Sequence, residues 1–312
     1  MQREVHLFGL PVIRVVKMEF CEKRYFLGIQ YRVKKYAQRY DSFAEAFAAN
    51  ARGVHNRRVK VIINNTGEAV TYARTHALWY KPDELVFGSR FQHADIFRLF
   101  APHIPVFYCG DAAELKEPQC INGNHVEPLL TSSRLLAMNN QGKPFLQSWA
   151  EYMHADVSSL SYSRAVIPPE VERSALAKAQ ALRLNLDNFV VLSPVARSCE
   201  ALPTAFWDEI ETSLRAKGYD VFYNSPLFSI PEVYALASRA KAIIALRSGL
   251  CDVLCDLPVP QFIIYSHNKF HGDLQPMYSF EHFPWAHSSS IFEYNALKQD
   301  IPAIRDSIIS HL

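Results

Sequence analysis

Apolar and polar residues alternate in a regular rhythm along most of the chain. Val5 to Phe8 and Val12 to Val16 are short apolar runs, and Gly9 to Pro11 between them has turn chemistry, which predicts a hairpin. Residues 42 to 52 read as a helix, with Ser42 as cap and Glu45 three residues on. From Val59 strand and helix patterns alternate: a strand at Val59 to Asn64, a helix at Gly67 to Tyr80, a strand at Glu84 to Gly88, a short helix at His93 to Phe100, and a strand at Pro105 to Cys109. Residues 110 to 143, rich in Asn, Gly, Pro and Ser, read as irregular, and Pro144 to His154 restores a helix.

The stretch 156 to 169, Ser-rich and ending in Ile-Pro-Pro, reads as a linker, and Glu170 to Leu184 as a polar helix leading out of it. A clearer rhythm follows. Strands are expected at Phe189 to Ser193, Asp220 to Tyr223, Lys241 to Leu246 and Gln261 to Tyr265. Helices are expected at Thr204 to Lys217, with Thr204 as cap, at Ile230 to Arg239 and from Ser248 to Cys255. Repeated strand–helix–strand units imply parallel sheets covered by helices, a doubly wound α/β architecture. The division expected is a first domain over residues 1–165, with 1–58 as an N-terminal extension, and a second over 166–312.

Composition and charge narrow the chemistry. Hydrophobic residues are 49% and charged residues 21% of the 312, the balance of a globular chain. The net charge of +2 marks no general polyanion binder, and no nucleic-acid partner is expected. Between Arg14 and Lys60, however, twelve Lys and Arg stand against four acids, an excess of eight. That segment reads either as a solvated face or as a surface for anionic lipid or phosphorylated glycan. The six cysteines, Cys21, Cys109, Cys120, Cys199, Cys251 and Cys255, are scattered and no secretory leader is recognisable, so a reducing cytoplasm is expected. Cys251 and Cys255 lie one helical turn apart without partners to complete a zinc site, and no bound metal is expected. No apolar run reaches the length that spans a bilayer.

In open parallel sheets ligands bind beyond the carboxyl ends of the strands. In the second half those positions are Ser193, Arg197 and Ser198, then Asn224, then Arg247, Ser248, Gly249 and Asp252, a polar rim suited to a donor nucleotide. A Ser-Gly step entering a helix leaves N–H groups free for phosphate, and Arg247 would add a bidentate cation. Ser248 and Gly249 would equally serve as an ordinary helix cap and turn. In the first half, Gly67-Glu68 opens a helix directly after a strand. A carboxylate there would act as a general base or would simply stabilise the helix dipole. His93 and Asp95, just past the next strand, are the further candidates. No P-loop, nucleophile elbow or complete dinucleotide fingerprint is present.

The second half resembles the donor domain of the heptosyltransferase-like glycosyltransferases of bacterial surface polysaccharides. The likeness rests on Val190-Val191-Leu192-Ser193-Pro194, on Leu202-Pro203 with Phe206-Trp207, and on Ile230-Pro231-Glu232-Val233. The family's usual Asp-Ser-Gly, apolar pair, His stands here as Arg247-Ser248-Gly249-Leu250-Cys251-Asp252, with Arg for Asp and Asp for His. Gly67-Glu68 resembles the family's Gly-Asp pair, whose acid is the catalytic base. The resemblance runs over roughly residues 59 to 266 and implies a GT-B type α/β fold, two Rossmann-like domains with parallel sheets facing a cleft. It also implies a nucleotide-diphosphate sugar as donor substrate without a cofactor, a glycan or lipid-linked acceptor, and inverting, metal-independent transfer. Glu68 would be the base, with Asp95 next, and Arg247, Ser248 and Arg197 would meet the departing diphosphate. The cysteines and the basic segment together lead to an expected cytoplasmic location, with a peripheral place on the inner face of the membrane. A nucleotide-sugar epimerase on the same fold and a non-catalytic glycan-assembly protein are the rival readings.

Overall fold

The computed structural model describes residues 40, 42–110, 115–130, 142–225 and 227–312, and the backbone of four strands within 2–35. These four, β1 (Gln2–Leu7), β2 (Leu10–Lys17), β3 (Cys21–Phe26) and β4 (Ile29–Lys35), form an antiparallel meander. The expected hairpin is its first pair, with Val5 opposite Ile13. The side chains of the basic segment as far as Arg39 lie outside the described residues.

The chain falls into two compact units. The first comprises Met1–Ile63, Asp83–Ala94 and Val106–Leu129, and the second Asn64–Pro82, Asp95–Pro105 and Leu130–Leu312.

In the first unit, β5 (Arg58–Ile62), β6 (Leu85–Gly88), β7 (Val106–Tyr108), β8 (Gln119–Ile121) and β9 (Asn124–Pro128) form a sheet of order β7-β6-β5-β9-β8. All its pairings are parallel except β8 with β9. Helix α1 (Phe43–Asn50) starts where Ser42 Oγ accepts from Glu45 N at 3.2 Å, and its Phe43 and Phe47 rings pack on Phe87. The β8–β9 hairpin lies in the stretch read as irregular. Asn122 and Gly123 both take positive φ, 48° and 77°, the conformation of a two-residue hairpin turn. Buried Asn124 pins it: its Oδ1 accepts from Arg57 N at 3.0 Å and its Nδ2 donates to Val54 O at 3.1 Å.

The second unit holds β10 (Phe189–Ser193), β11 (Asp220–Tyr223), β12 (Ala242–Leu246), β13 (Gln261–Tyr265) and β14 (Ile291–Asn295), all parallel, in the order β11-β10-β12-β13-β14. Every residue of β10, β12 and β13 is buried, as in strands covered on both faces. One covering layer is amphipathic. Phe206, Trp207, Ile210 and Leu214 of α7 (Thr204–Ala216) and Ile304 and Ile308 of α11 (Ile301–His311) share a core with Val190, Ile244 and Phe262. Helices α6 (Pro169–Ala181) and α8 (Ile230–Ala237) pack together and are joined by a cluster of polar bonds. Glu232 accepts from Lys178 Nζ at 2.5 Å, from Ser174 Oγ at 2.6 Å and from Ser229 N at 2.7 Å. Thr204 is the first helical residue of α7 and Pro203 holds the cap position, one residue earlier than expected.

The same unit carries α2 (Thr66–Arg74), α3 (His76–Trp79), α5 (Phe145–Tyr152), α9 (Gly249–Leu254) and α10 (Gln275–Tyr278). Helix α4 (Gln92–Phe100) runs from the first unit into the second. Arg74, fully buried, fastens α2. It donates to Asp256 at 3.0 Å, Ser163 O at 3.3 Å and Val253 O at 3.4 Å, and lies over the Phe100 ring at 3.9 Å.

Candidate functional site

The strand order of the second unit fixes where a ligand crevice belongs. Chain order reverses beside β10, with β11 on one flank and β12 on the other, so the switch point lies at the carboxyl ends of β10 and β12. Ser193, the last residue of β10, is buried and paired with Ala245. Arg197 is exposed, and its guanidinium has no partner among the described residues. Ser198 O accepts from Lys269 N at 2.9 Å. Asn224 is exposed on the β11 side, its N–H bonded to Leu192 O at 3.1 Å.

On the β12 side the structure departs from the reading of Arg247 as an open fork. Its two terminal nitrogens hold Asp252, NH1 to Oδ2 at 2.8 Å and NH2 to Oδ1 at 2.6 Å, and NH1 also donates to Ser248 O at 2.8 Å. Both side chains are buried, at 6% and 10% exposure. The guanidinium lies over the Phe280 ring at 4.6 Å, and its Nε is buried without a hydrogen-bond partner among the described residues. Burial opposes the charge of Arg247, but Asp252 outweighs it and holds the pKa above its ordinary value. The i+5 spacing works because Arg247 precedes the helix and Asp252 sits in its first turn.

Helix α2 closes on the same place. A Cβ at Gly249 would lie 2.5 Å from Thr66 Cβ and 2.9 Å from Gly67 N, and a Cβ at Gly67 would lie 2.5 Å from Asp252 Oδ2. The two glycines let the amino ends of α2 and α9 abut, so the Ser248-Gly249 step is covered by Thr66 and Gly67. This close approach brings Glu68, 7% exposed, into the cluster. The Tyr278 phenol of α10 lies near Glu68 and Asp252. Burial, then the charges of Glu68 and Asp252, keeps that phenol well above its usual pKa and hence protonated. Phe145 stacks on Tyr278 at 5.0 Å.

The structure therefore unites Glu68, Arg247, Ser248, Gly249 and Asp252, and adds Tyr278 and Phe280. These two sit beyond β13, where the sequence has no periodicity to flag them. Asp95 is half-buried on α4 and pairs with Arg98 at 3.2 Å. His93 is fully buried in the first unit, so close beneath Gly88 that a Cβ there would meet it at 2.8 Å. A depression of about 440 Å³ lined by Gln147, Glu151, Asp156 and His282 involves none of the cluster residues. Among the described residues no three His, Cys, Asp or Glu side chains converge to hold a metal ion.

No family model matches the sequence, and no curated protein matches it. Solved structures do. A glycosyl transferase family 9 protein of Veillonella parvula matches at 12% identity and a TM-score of 0.49, over 84% of this chain and 93% of that one. The ADP-heptose lipopolysaccharide heptosyltransferase II of E. coli matches at 9% identity and a TM-score of 0.51, over 81% of this chain and 98% of that one. The chain thus shares the two-sheet α/β fold of the E. coli heptosyltransferase.

Proposed function

We propose that this protein is a glycosyltransferase that moves a sugar from a nucleotide-diphosphate sugar to a surface glycan or lipid-linked acceptor. Residues 166–312 would hold the donor and residues 1–165 the acceptor. The observation that carries the reading is the meeting of Thr66 and Gly67, at the start of α2 and next to Glu68, with the switch-point loop of a doubly wound sheet. The fold shared with a sugar-nucleotide enzyme supports it.

In this reading the Glu68 carboxylate takes the proton of an acceptor hydroxyl. The oxygen attacks the anomeric carbon from the face opposite the leaving group, the carbon–oxygen bond to the diphosphate breaks, and the configuration inverts. Tyr278, close by and protonated, would steady the carboxylate and yield it to the acceptor. Arg197, Ser198 and Asn224 receive the diphosphate, with a cationic side chain rather than a metal ion answering the developing charge. Arg247 serves by neutralising Asp252, which keeps Ser248 and Gly249 in place beside Glu68. Asp95 is the reserve base. The basic segment before Lys60 would keep the protein against an anionic, cytoplasm-facing membrane surface near its acceptor.

Glu68→Gln tests the reading. Transfer should fall roughly 10²–10⁴-fold while donor affinity holds. A variant within a few-fold of wild type, with both substrates saturating, would move the base to another residue. One observation favours a second reading, a non-catalytic glycan-assembly protein: Asp252 and α2 fill the step where a phosphate would rest. A thermal-shift series with nucleotide sugars separates the two, since ligand bound to the folded state raises the melting temperature. No shift with any of them would favour the second.

A further inference from the structure

The two most exposed large apolar side chains among the described residues stand on the same rim, Val195 at 77% and Phe270 at 77%. Val195 lies in the loop after β10 and Phe270 in the loop after β13. The loops join across the end of β12. Glu200 N donates to His267 O at 2.8 Å and Lys269 N to Ser198 O at 2.9 Å, and Cys199 pairs with Asn268 as an antiparallel bridge. Cys199 Sγ rests 3.5 Å from Arg247 O. The crevice that the strand order designates is therefore roofed by its own loops, and an incoming ligand meets the outside of the roof.

That outer surface is built rather than loose. Asn268 and Gly272 exchange two backbone bonds, at 2.8 and 2.9 Å, around a three-residue tip. Buried Asn268 accepts at Oδ1 from Phe270 N at 3.0 Å and His271 N at 3.1 Å. Ser266 Oγ ties the base of the loop to Glu200 O at 2.7 Å. The tip thus holds the Phe270 ring in water on a fixed backbone. Two cations without side-chain partners among the described residues, Arg197 and Lys269, stand on the joined loops. Exposed Glu200 is the only acid in residues 194–200 and 266–272. An open aromatic face beside unpaired cations suits a planar ring that carries phosphate.

We infer that the Lys269–His271 tip, together with Arg197, seats the nucleoside diphosphate of the donor. The base lies against Phe270 and the phosphates against Arg197 and Lys269. This rests on the glycosyltransferase reading above and adds residues to its donor side.

The test is calorimetry on the full chain with ADP, UDP, GDP and CDP, and with inorganic pyrophosphate. At least one nucleoside diphosphate should bind more tightly than pyrophosphate. Phe270→Ala should remove that advantage, about tenfold, and leave pyrophosphate binding as it was. Phe270→Trp should keep the affinity, and its added fluorescence should be quenched by the nucleotide. Arg197→Ala with Lys269→Ala should weaken both probes. Nucleotide affinity unchanged in Phe270→Ala overturns the inference, as does a wild-type protein that binds none of the four. Unchanged affinity in a protein that still transfers sugar leaves the enzyme reading standing and moves the seat elsewhere. Phe270-dependent nucleotide binding without transfer from any nucleotide sugar keeps the seat and sinks the enzyme reading. A phosphorylated glycan held by Phe270 in place of nucleotide overturns the seat and makes the rim an acceptor surface.

Discussion

Arg247 and Asp252 form a buried ion pair beside the Phe280 ring, where the last residue before Ser248 meets the first turn of α9. Each was legible as a polar residue past a strand end, because chain order alone dictates that position. Their pairing was not, because Arg247 lies outside the helix and helical spacing rules do not reach it. Phe280 and Tyr278, which enclose them, were illegible for the reason that no apolar period runs through residues 266 to 290. Removing one partner of a buried pair leaves the other charge without compensation. Asp252→Ala should therefore lower stability by about 3–5 kcal/mol, read from urea unfolding. The double variant Arg247→Met with Asp252→Leu should recover most of that loss, since apolar residues of similar volume replace a buried pair at little cost. A double variant no more stable than Asp252→Ala alone would show that the pair does more than neutralise itself.

At the scale of elements, the strands of the second unit through Tyr265 and their intervening helices follow directly from apolar runs and turn residues. What escaped has physical causes. The β8–β9 hairpin is only three and five residues on a side and is announced by Asn122-Gly123 alone. The first three residues of β14 are only partly buried, which dilutes its apolar pattern. The abutting of α2 and α9 depends on Gly67 and Gly249, and a Cβ at Gly249 would meet Thr66 Cβ at 2.5 Å and the Gly67 backbone nitrogen at 2.9 Å. Gly249→Ala should cost about 1–3 kcal/mol as overpacking, visible as a lowered melting temperature. An unchanged transition would mean that the two helices slide apart easily. The α6–α8 contact makes a pH prediction. Burial alone would raise the pKa of Glu232, but Lys178, Ser174 and the Ser229 N–H outweigh it and set it below 4.5. A depressed acid stabilises the fold above its unfolded pKa and stops doing so as pH falls through the folded one. Wild type should exceed Glu232→Gln in urea midpoint at neutral pH, and the gap should close as pH drops below about 4.5. A gap that is flat across that range would remove Glu232 from the acid response.

For the molecule as a whole, the basic segment before Lys60 makes a prediction that concerns surfaces rather than the fold. Wild-type protein should sediment with anionic vesicles at low salt and release as salt rises, because exposed charges are screened over about 10 Å at 0.1 M. Neutralising Lys34, Lys35 and Arg39 together should weaken that association and leave nucleotide affinity alone. Indifference to anionic vesicles at low salt would leave the segment a solvated face. The α/β class and parallel sheets were legible in the sequence. The interlacing of the two units was not, since no local pattern records that Asn64–Pro82 packs with residues near the carboxyl end. That interlacing has a consequence in time. Arg74 leaves the ribosome 182 residues before Asp256, its buried partner. At about 5–20 residues per second, α2 waits on the order of ten to forty seconds for the carboxylate that completes it. The first sheet is then synthesised well before Gly249–Leu254, against which α2 packs, so the docking of that helix comes late in synthesis.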